Sequence, residues 1–380
     1  MWPAGPGCPG GPGARLDVIE PGAGPAAPHA PLAGAPLAPL SAAAAPQGQI
    51  AIAGADPRRR GSALLLEGHA GGGFRVLAAD GAAPGAALAS AYLGDLALLA
   101  RARGALVLAV QRWFGGPPRP PRKVAATPEG PPPASTVALD YRSDAIAAWA
   151  RGGAVWARAL PAGGRAPAAQ RLGPAGAGTR IAALLSDDDR AIVMWSTYRA
   201  GRTDVYLDQS APGPRFTAAR LIEAAPDPGG LRAPGGSPAL VRLSSESVMC
   251  AWTGVSEGRW AVRTAPIDQL GLRHVSTIAA AGADLALSAL APGPRGEAVA
   301  LLGETPAGGG ASALLAARGI DAAPGRTLFG APERITPAGW SGPVSSATVA
   351  IEPGADRAFA AWRGAGEEIY YSLDDPGPPG

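Results

Sequence analysis

One pattern recurs through this chain, and its spacing constrains the fold more than any other feature. An apolar, strand-like segment ends in an Ala-Trp pair and is followed by a polar turn and a second apolar segment. The position of the tryptophan marks the phase of each copy. It is held in succession by Ile52, Ala100, Trp149, Trp195, Trp252, Leu302 and Trp362. The spacing between copies drifts around roughly 50 residues, which indicates a repeat protein.

The second and third copies show what one repeat contains. Residues 95–111 align without a gap against residues 144–160. Each copy has the apolar pattern of about four short strands, and Gly or Pro interrupts every run long enough for a helix. Four strands in some 50 residues match a β-propeller blade, whereas an immunoglobulin-like sandwich needs about twice that length. The sequence therefore predicts an all-β, seven-bladed β-propeller of four-stranded antiparallel blades.

The chain divides by composition into three parts. Residues 1–47 are rich in Pro, Ala and Gly, except for a strand-like segment, ARLDVIE, at 14–20. Residues 48–373 hold the repeats, and 374–380 form a Pro/Gly tail. The seventh copy ends at Leu373 without a fourth strand. We expect the N-terminal strand at 14–20 to fill that place and close the ring, because this hides two open sheet edges.

Charge and cysteine usage exclude several classes of protein. The net charge is +3, yet only one of the 33 basic residues is Lys and they are scattered, so we expect no nucleic-acid partner. Recurrent Pro in 21–55 predicts no membrane span, and Met1 to Gly13 lack the pattern of a signal peptide. Cys8 and Cys250 make no disulfide framework, and Cys250 reads as a buried thiol.

The repeat resembles a known group of proteins. The segments SVMCAWTG and GRWAVRTAPIDQLG, together with AIVMWSTYRAGRTDVYLDQSAPG, are similar to the blades of bacterial β-propeller repeat proteins, which are grouped loosely with sialidase-like propellers. The similarity covers about residues 48–373 and lacks the Asp-box of sialidases. It implies the propeller fold and, since many such proteins are exported, an extracellular or cell-envelope location.

Residues for metal binding or catalysis are sparse. His29, His69 and His274 have no metal-ligand spacing, so we predict no metal and no cofactor. The acidic turn at 187–189 is interpreted as solvated rather than as a calcium loop. The Ala-Trp tryptophans are expected between neighbouring sheets. Trp156 and Trp260 are expected to be partly exposed, but not to be ligand platforms.

Arginine recurs where a second strand turns into a third. We predict that these residues share one rim of the propeller and bind carboxylates or sulfates. The predicted ligand-binding residues are Arg59, Arg101, Arg103, Arg151, Arg199, Arg202, Arg259 and Arg363. An Arg-rich protein also places Arg in polar loops without any ligand, and the sequence leaves this alternative open.

The sequence favours a non-catalytic, monomeric binding or scaffolding module whose partner is a protein or an acidic glycan. A sialidase-like hydrolase is the alternative, because acids and a tyrosine occupy the same loops. The residues concerned are Tyr198, Glu257, Glu304, Glu367 and Glu368. A docking domain with no small ligand is a third possibility.

Overall fold

The structure is a computed structural model of the chain. It describes residues 41–45, 49–55, 63–69, 74–79, 87–91, 94–102, 104–112, 119–127, 134–211, 215–226, 238–243, 247–268, 271–278, 283–293, 296–306, 313–323, 326–336, 340, 344, 346–351, 358–363 and 369–374. Within these ranges the chain is all-β and contains no helix. The strands are grouped below into sheets, numbered in chain order.

The first three sheets each have four strands. Sheet 1 contains β1 (Ser41–Ala45), β2 (Gln49–Ala55), β3 (Ala63–His69) and β4 (Phe74–Ala79). Sheet 2 contains β5 (Ala87–Ser90), β6 (Leu96–Ala102), β7 (Ala105–Gln111) and β8 (Arg122–Ala126). Sheet 3 contains β9 (Ser135–Leu139), β10 (Ala145–Arg151), β11 (Ala154–Leu160) and β12 (Gln170–Pro174).

The next two sheets continue the pattern. Sheet 4 contains β13 (Ala177–Leu185), β14 (Ala191–Arg199), β15 (Arg202–Gln209) and β16 (Arg220–Pro226). Sheet 5 contains β17 (Ala239–Arg242), β18 (Val248–Ser256), β19 (Arg259–Asp268), β20 (Gly271–Leu272) and β21 (Ser276–Ile278). Both β20 and β21 pair with β19, so the outer edge of sheet 5 is an interrupted strand.

The last two sheets differ at their outer edges. Sheet 6 contains β22 (Ala283–Pro292), β23 (Glu297–Pro306), β24 (Ala313–Ala323), β25 (Arg326–Phe329) and β26 (Glu333–Arg334), with β25 and β26 both on β24. Sheet 7 contains β27 (Ser346–Ile351), β28 (Ala358–Arg363) and β29 (Ile369–Asp374). Every pairing in the seven sheets is antiparallel between strands adjacent in space, and most are hairpins.

The first strands of the sheets form a closed circuit. The strand β1 contacts β5, and the contacts continue through β9, β13, β17, β22 and β27 back to β1. These strands also line one channel. The sheets therefore stand radially about a common axis, which is the β-propeller architecture.

The repeat phase deduced from the sequence is confirmed. The strands β6 and β10 have seven residues each, as do β7 and β11, and both pairs are offset by the 49 residues of the gap-free alignment. The first sheet begins at Ser41, inside the segment 1–47 that composition set apart, and β29 runs to Asp374. The strand predicted at 14–20 lies outside the described residues.

Tryptophan side chains fill the space between neighbouring sheets, as predicted. Trp195 is fully buried among residues of sheets 3 and 4, and its Nε1 donates a hydrogen bond of 2.9 Å to the carbonyl of Pro174. Trp252 packs between sheets 4 and 5, where its Nε1 donates to Glu223 at 2.5 Å. In the sixth repeat, Leu302 is buried at the same position, between sheets 5 and 6.

Of three further side-chain expectations, two are confirmed and one is wrong. Cys250 is buried in β18, and burial raises the pKa of its thiol, which confirms an unreactive structural residue. Trp156 is half-buried, as expected. The expectation for Trp260 is wrong, because it is only 2% exposed. Its backbone N–H donates to Asp284 on β22, so the next sheet covers it.

Candidate functional site: an arginine hairpin and the opposite channel mouth

Tight hairpins carry the predicted arginines at one end of the ring. In the turns after β10, β14 and β18, both central residues have positive φ: Gly152 and Gly153, Ala200 and Gly201, and Glu257 and Gly258. Such two-residue turns match the twist of paired strands, and glycine tolerates them best. The flanking residues therefore project from the hairpin tip. Arg151, Arg199, Arg202 and Arg259 hold these places and are exposed.

The other predicted arginines are less well defined. Arg101 lies near the end of β6 and is half-buried. The side chains of Arg59, Arg103 and Arg363 lie outside the part of the chain that the structure describes, although Arg363 is the last residue of β28. The predicted position between second and third strands is therefore confirmed for the described members. Their ligand-binding role stays a prediction.

Sheet 4 brings two arginines together. Arg199 at the end of β14 lies directly opposite Arg202 at the start of β15. Next along the same face, Thr197 lies opposite Asp204, and Trp195 lies opposite Tyr206 with the two rings stacked at 5.3 Å. This face thus runs from the buried Trp195 and the half-buried Tyr206 to an exposed pair of guanidinium groups.

Asp204 organises the polar half of that face. Its Oδ1 lies 2.8 Å from Nε of Arg202, and its Oδ2 accepts a hydrogen bond of 3.3 Å from the hydroxyl of Tyr206. Burial and the Asp204 charge raise the pKa of Tyr206, while Arg199 hydrogen-bonds to it and acts in the opposite direction. The phenol therefore stays protonated near neutral pH. We call Arg199, Arg202, Asp204 and Tyr206 the arginine hairpin.

Residue-by-residue reading missed Asp204 and Tyr206. The signal was present, because in the segment RTDVYL the residues Arg202, Asp204 and Tyr206 alternate and so lie on one face of a strand. The tyrosine that the sequence selected, Tyr198, lies on the other face of β14.

The opposite end of the ring holds a network of charges between sheets. The carboxylate of Asp140, whose side chain is fully inaccessible, accepts the backbone N–H of Arg142 at 2.9 Å and that of Asp144 at 2.8 Å. The Arg142 guanidinium binds both Asp140 and Asp189 of the next sheet. Burial raises the pKa of Asp140 despite these hydrogen bonds.

Two more contacts join neighbouring sheets at this end. Arg242 of sheet 5 lies 2.5 Å from Asp187 and donates at 2.8 Å to the carbonyl of Leu185, both in sheet 4. The Ser143 hydroxyl donates to Asp95 of sheet 2. The acidic turn at 187–189 is partly exposed, as expected for a solvated turn, but the sequence did not reveal that it anchors two neighbouring sheets.

Three carboxylates meet in this network. Asp140, Asp144 and Asp189 each offer an oxygen atom within 4.8 Å of the others, a spacing compatible with a metal ion. Two of the three already bind the guanidinium of Arg142. In this arrangement Arg142 supplies the positive charge that the carboxylates require.

A channel of about 800 Å³ opens beside the network. Its wall is formed by the first strands of all seven sheets and is mostly apolar, with many alanines. Asp140, Tyr141, Asp187 and Arg242 lie at its mouth. The volume lies within the range typical of ligand pockets, about 300 to 1,000 Å³.

Comparison with known proteins supports the fold alone. No protein-family model and no curated protein matches the sequence. A protein from Lactobacillus plantarum is 12% identical over 85% of this chain and 99% of its own, with a TM-score of 0.51. The fungal lectin of Aleuria aurantia, a six-bladed β-propeller that recognises fucose, is 10% identical over 78% of this chain and 97% of its own, with a TM-score of 0.44. The closed circuit of first strands makes the chain a β-propeller protein.

Among the described residues, no helix is long and apolar enough to cross a bilayer.

Proposed function

We propose that this protein is a seven-bladed β-propeller that acts as a non-catalytic binding module, taking an acidic glycan or an acidic protein surface at the arginine-bearing end of the ring. The observation that carries the proposal is the arginine hairpin. Arg199 and Arg202 lie opposite each other on one tip, and both are exposed. Two guanidinium groups side by side match the geometry of a carboxylate or a sulfate.

The surroundings of the hairpin support a binding role. Asp204 holds the side chain of Arg202, and Tyr206 holds that of Arg199. These two arginines therefore lose part of their side-chain entropy before a ligand arrives. Arg151 and Arg259 are exposed on the corresponding hairpins of the two adjacent sheets and extend the positive surface. The ligand is therefore expected to contact more than one sheet.

The binding proposal is tested on an array of sulfated, sialylated and neutral glycans, followed by titration with a bound glycan. We expect acidic glycans to bind, and the double variant R199A/R202A to lose at least about tenfold in affinity, as expected for lost charge-assisted hydrogen bonds. The matched control is R165A, because Arg165 is exposed between β11 and β12 at the other end of the ring. Equal binding of neutral glycans, or equal losses in both variants, would overturn the proposal.

The alternative of a sialidase-like hydrolase predicts a different result. A tyrosine nucleophile needs a nearby base, but Asp204 already binds Arg202 and Tyr206, and the raised pKa of Tyr206 opposes its ionisation. If the protein hydrolyses a fluorogenic sialoside and the variant Y206F or Y198F does not, the protein is an enzyme and the binding proposal is wrong.

We also propose that residues 14–20 complete the last blade. Sheet 7 has three strands among the described residues, and the exposed pair Ile320 and Leu328 lies on the face of sheet 6 turned toward it. An added strand would cover this apolar pair. The variant V18D should therefore lower the free energy of unfolding by about 2 kcal/mol, whereas D17N should change it little. Equal stability of V18D and the parent protein in urea would contradict the closing strand.

A further inference from the structure

The arginine hairpin holds one buried negative charge behind its two positive charges. Arg199 and Arg202 lie opposite each other at the tip, and Asp204 lies on the same face as Arg202, two residues further along β15. The side chain of Arg202 is 51% exposed, whereas that of Asp204 is 2% exposed, and its Oδ1 lies 2.8 Å from Nε of Arg202. Two guanidinium groups and one carboxylate therefore give the hairpin a net charge of +1.

The hairpin of sheet 5 shows that the carboxylate accompanies the second arginine. In that hairpin Arg259 lies opposite Ser256, and Ala261 follows two residues later on the same face. Ser256 thus takes the place of Arg199, and Ala261 takes the place of Asp204. Where only one arginine is present, the position behind it carries no charge. Two arginines that face each other repel, and in sheet 4 Asp204 offsets this repulsion.

Hydrogen bonds hold Asp204 beneath the tip of the hairpin. Its Oδ2 accepts a hydrogen bond of 3.3 Å from the hydroxyl of Tyr206. Thr197, which lies opposite it, is buried, and its hydroxyl lies 3.0 Å from that of Thr179. Alternate residues of a strand are about 7 Å apart, so a ligand at the tip lies near the Asp204 charge without contacting it. Since the Debye length is about 8 Å at physiological ionic strength, the ligand experiences that charge.

The number of charges on the ligand therefore matters at this site. A second negative charge is attracted by the guanidinium groups but repelled by the carboxylate. It also raises the cost of removing the ligand from water, which grows with the square of the charge. A carboxylate or a sulfate ester carries one negative charge, whereas a phosphate monoester carries about 1.5 to 2 at pH 7. The net charge of the hairpin thus favours the singly charged groups.

We infer that Asp204 is a specificity-determining residue of the arginine hairpin. Its carboxylate makes the hairpin select the singly charged sulfate ester or carboxylate of an acidic glycan over the doubly charged phosphate ester. The inference rests on the proposed function, because it takes the binding of an anionic group at Arg199 and Arg202 as given.

The first test uses the parent protein and four monosaccharides that differ at one carbon atom: galactose 6-sulfate, galacturonate, galactose 6-phosphate and galactose. In titration calorimetry at pH 7.5, we expect the sulfate and the carboxylate to bind at least about threefold more tightly than the phosphate. At pH 5 the difference should disappear, because the second pKa of a phosphate ester is about 6 and the group becomes singly charged.

The two ways in which this test can fail are distinct. If no acidic sugar binds more tightly than galactose, the proposed function itself is wrong. If the acidic sugars bind but galactose 6-phosphate binds as tightly as galactose 6-sulfate at pH 7.5, the binding module stands and the role of Asp204 is wrong.

The second test changes the carboxylate. D204N keeps nearly the same shape and leaves two guanidinium groups without the negative charge. The ratio of phosphate to sulfate affinity should rise about fivefold at pH 7.5. The ratio is the measurement of choice, because a less well-positioned Arg202 would weaken both ligands alike. Thermal unfolding followed by circular dichroism verifies that D204N is folded, and the comparison of pH values in the parent protein decides the question if it is not.

The same strand offers a matched control. Asp208 is buried on the same face of β15, four residues beyond Asp204. It is therefore about 13 Å further from the tip, which exceeds the Debye length. D208N should change the ratio of affinities less than about twofold. An unchanged ratio in D204N, or an equal shift in D208N, overturns the assignment of specificity to Asp204.

Discussion

The two ends of the ring use arginine in different ways. At the channel mouth, Arg142 and Arg242 each bind a carboxylate of the neighbouring sheet. At the end that carries the arginine hairpin, Arg202 binds Asp204 of its own strand, and Arg151 and Arg259 are exposed at hairpin tips. Ion pairs at the channel mouth therefore join neighbouring sheets, whereas the exposed side chains of Arg151 and Arg259 at the hairpin end can reach a ligand. Substitutions at the two ends should therefore affect different measurements.

The largest difference in the free energy of unfolding is expected between substitutions of two buried carboxylates, Asp140 near the channel mouth and Asp204 near the hairpin tip. D140A removes the acceptor for two backbone N–H groups and for Arg142, and should lower the free energy of unfolding by about 3 kcal/mol. D204A removes only side-chain contacts, to Arg202 and Tyr206, and should cost about 1 kcal/mol. Urea unfolding at pH 7 measures both. Equal losses would contradict the distinction between the ends.

A second prediction concerns the pH dependence of stability at the end of the ring that holds the channel mouth. Asp208, near the end of β15, is buried, its Oδ1 has no hydrogen-bond partner, and burial raises its pKa to about 6. Because the folded pKa exceeds the unfolded value, the ionised group destabilises the fold above about pH 6, and this cost disappears as the pH falls toward 4. D208N should therefore raise the free energy of unfolding by about 2 kcal/mol at pH 8 and change it little at pH 4.

The control variant for this pH experiment, D188N, should change the free energy of unfolding in the opposite direction. The hydroxyl of Ser186, with Arg190, lowers the pKa of Asp188, so the ionised form stabilises the fold above about pH 4. D188N should slightly reduce stability at pH 8. A gain in D208N that persists unchanged at pH 4 would show that ionisation is not its cause.

A third prediction compares one arginine from each end. Arg242 is mostly buried and binds two groups of sheet 4, so R242A should lower the free energy of unfolding by about 1.5 kcal/mol. R259A removes an exposed side chain and should change it by less than about 0.5 kcal/mol. If chemical denaturation shows the larger loss of stability for R259A, the structural role belongs to the hairpin end instead.

The smallest expected effect is the coupling energy of one ion pair that joins two neighbouring sheets. Arg142 and Asp189 are 41% and 50% exposed, so a double-mutant cycle of R142A and D189A should give a coupling of about 0.5 kcal/mol. The same cycle for R151A and D189A, which combines the two ends, should give none. A coupling that is unaffected by high salt would indicate a packing contact rather than an ion pair.

Much of the fold was predictable because its signals are local. Alternating apolar residues, the Ala-Trp phase and Gly-containing turns are set within a few residues, and they located β6, β7, β10 and β11 correctly. The site was predictable in part. Arg199 and Arg202 were identified from their turn, but Asp204 and Tyr206 were missed because they act through a shared strand face. The burial of Trp260 was missed because a different sheet covers it.

The sequence by itself determined the repeat, the four-stranded unit and the hairpins on which arginine lies, because each depends on neighbours along the chain. Only the tertiary structure decided which charges meet. Ser143 contacts Asp95 and Arg142 contacts Asp189 across 48 and 47 residues, close to one repeat. The length of the repeat predicts that residues separated by this distance in the chain occupy equivalent places in adjacent sheets. The loops vary in length, however, so the pairing of particular side chains is fixed only when the sheets pack around the axis.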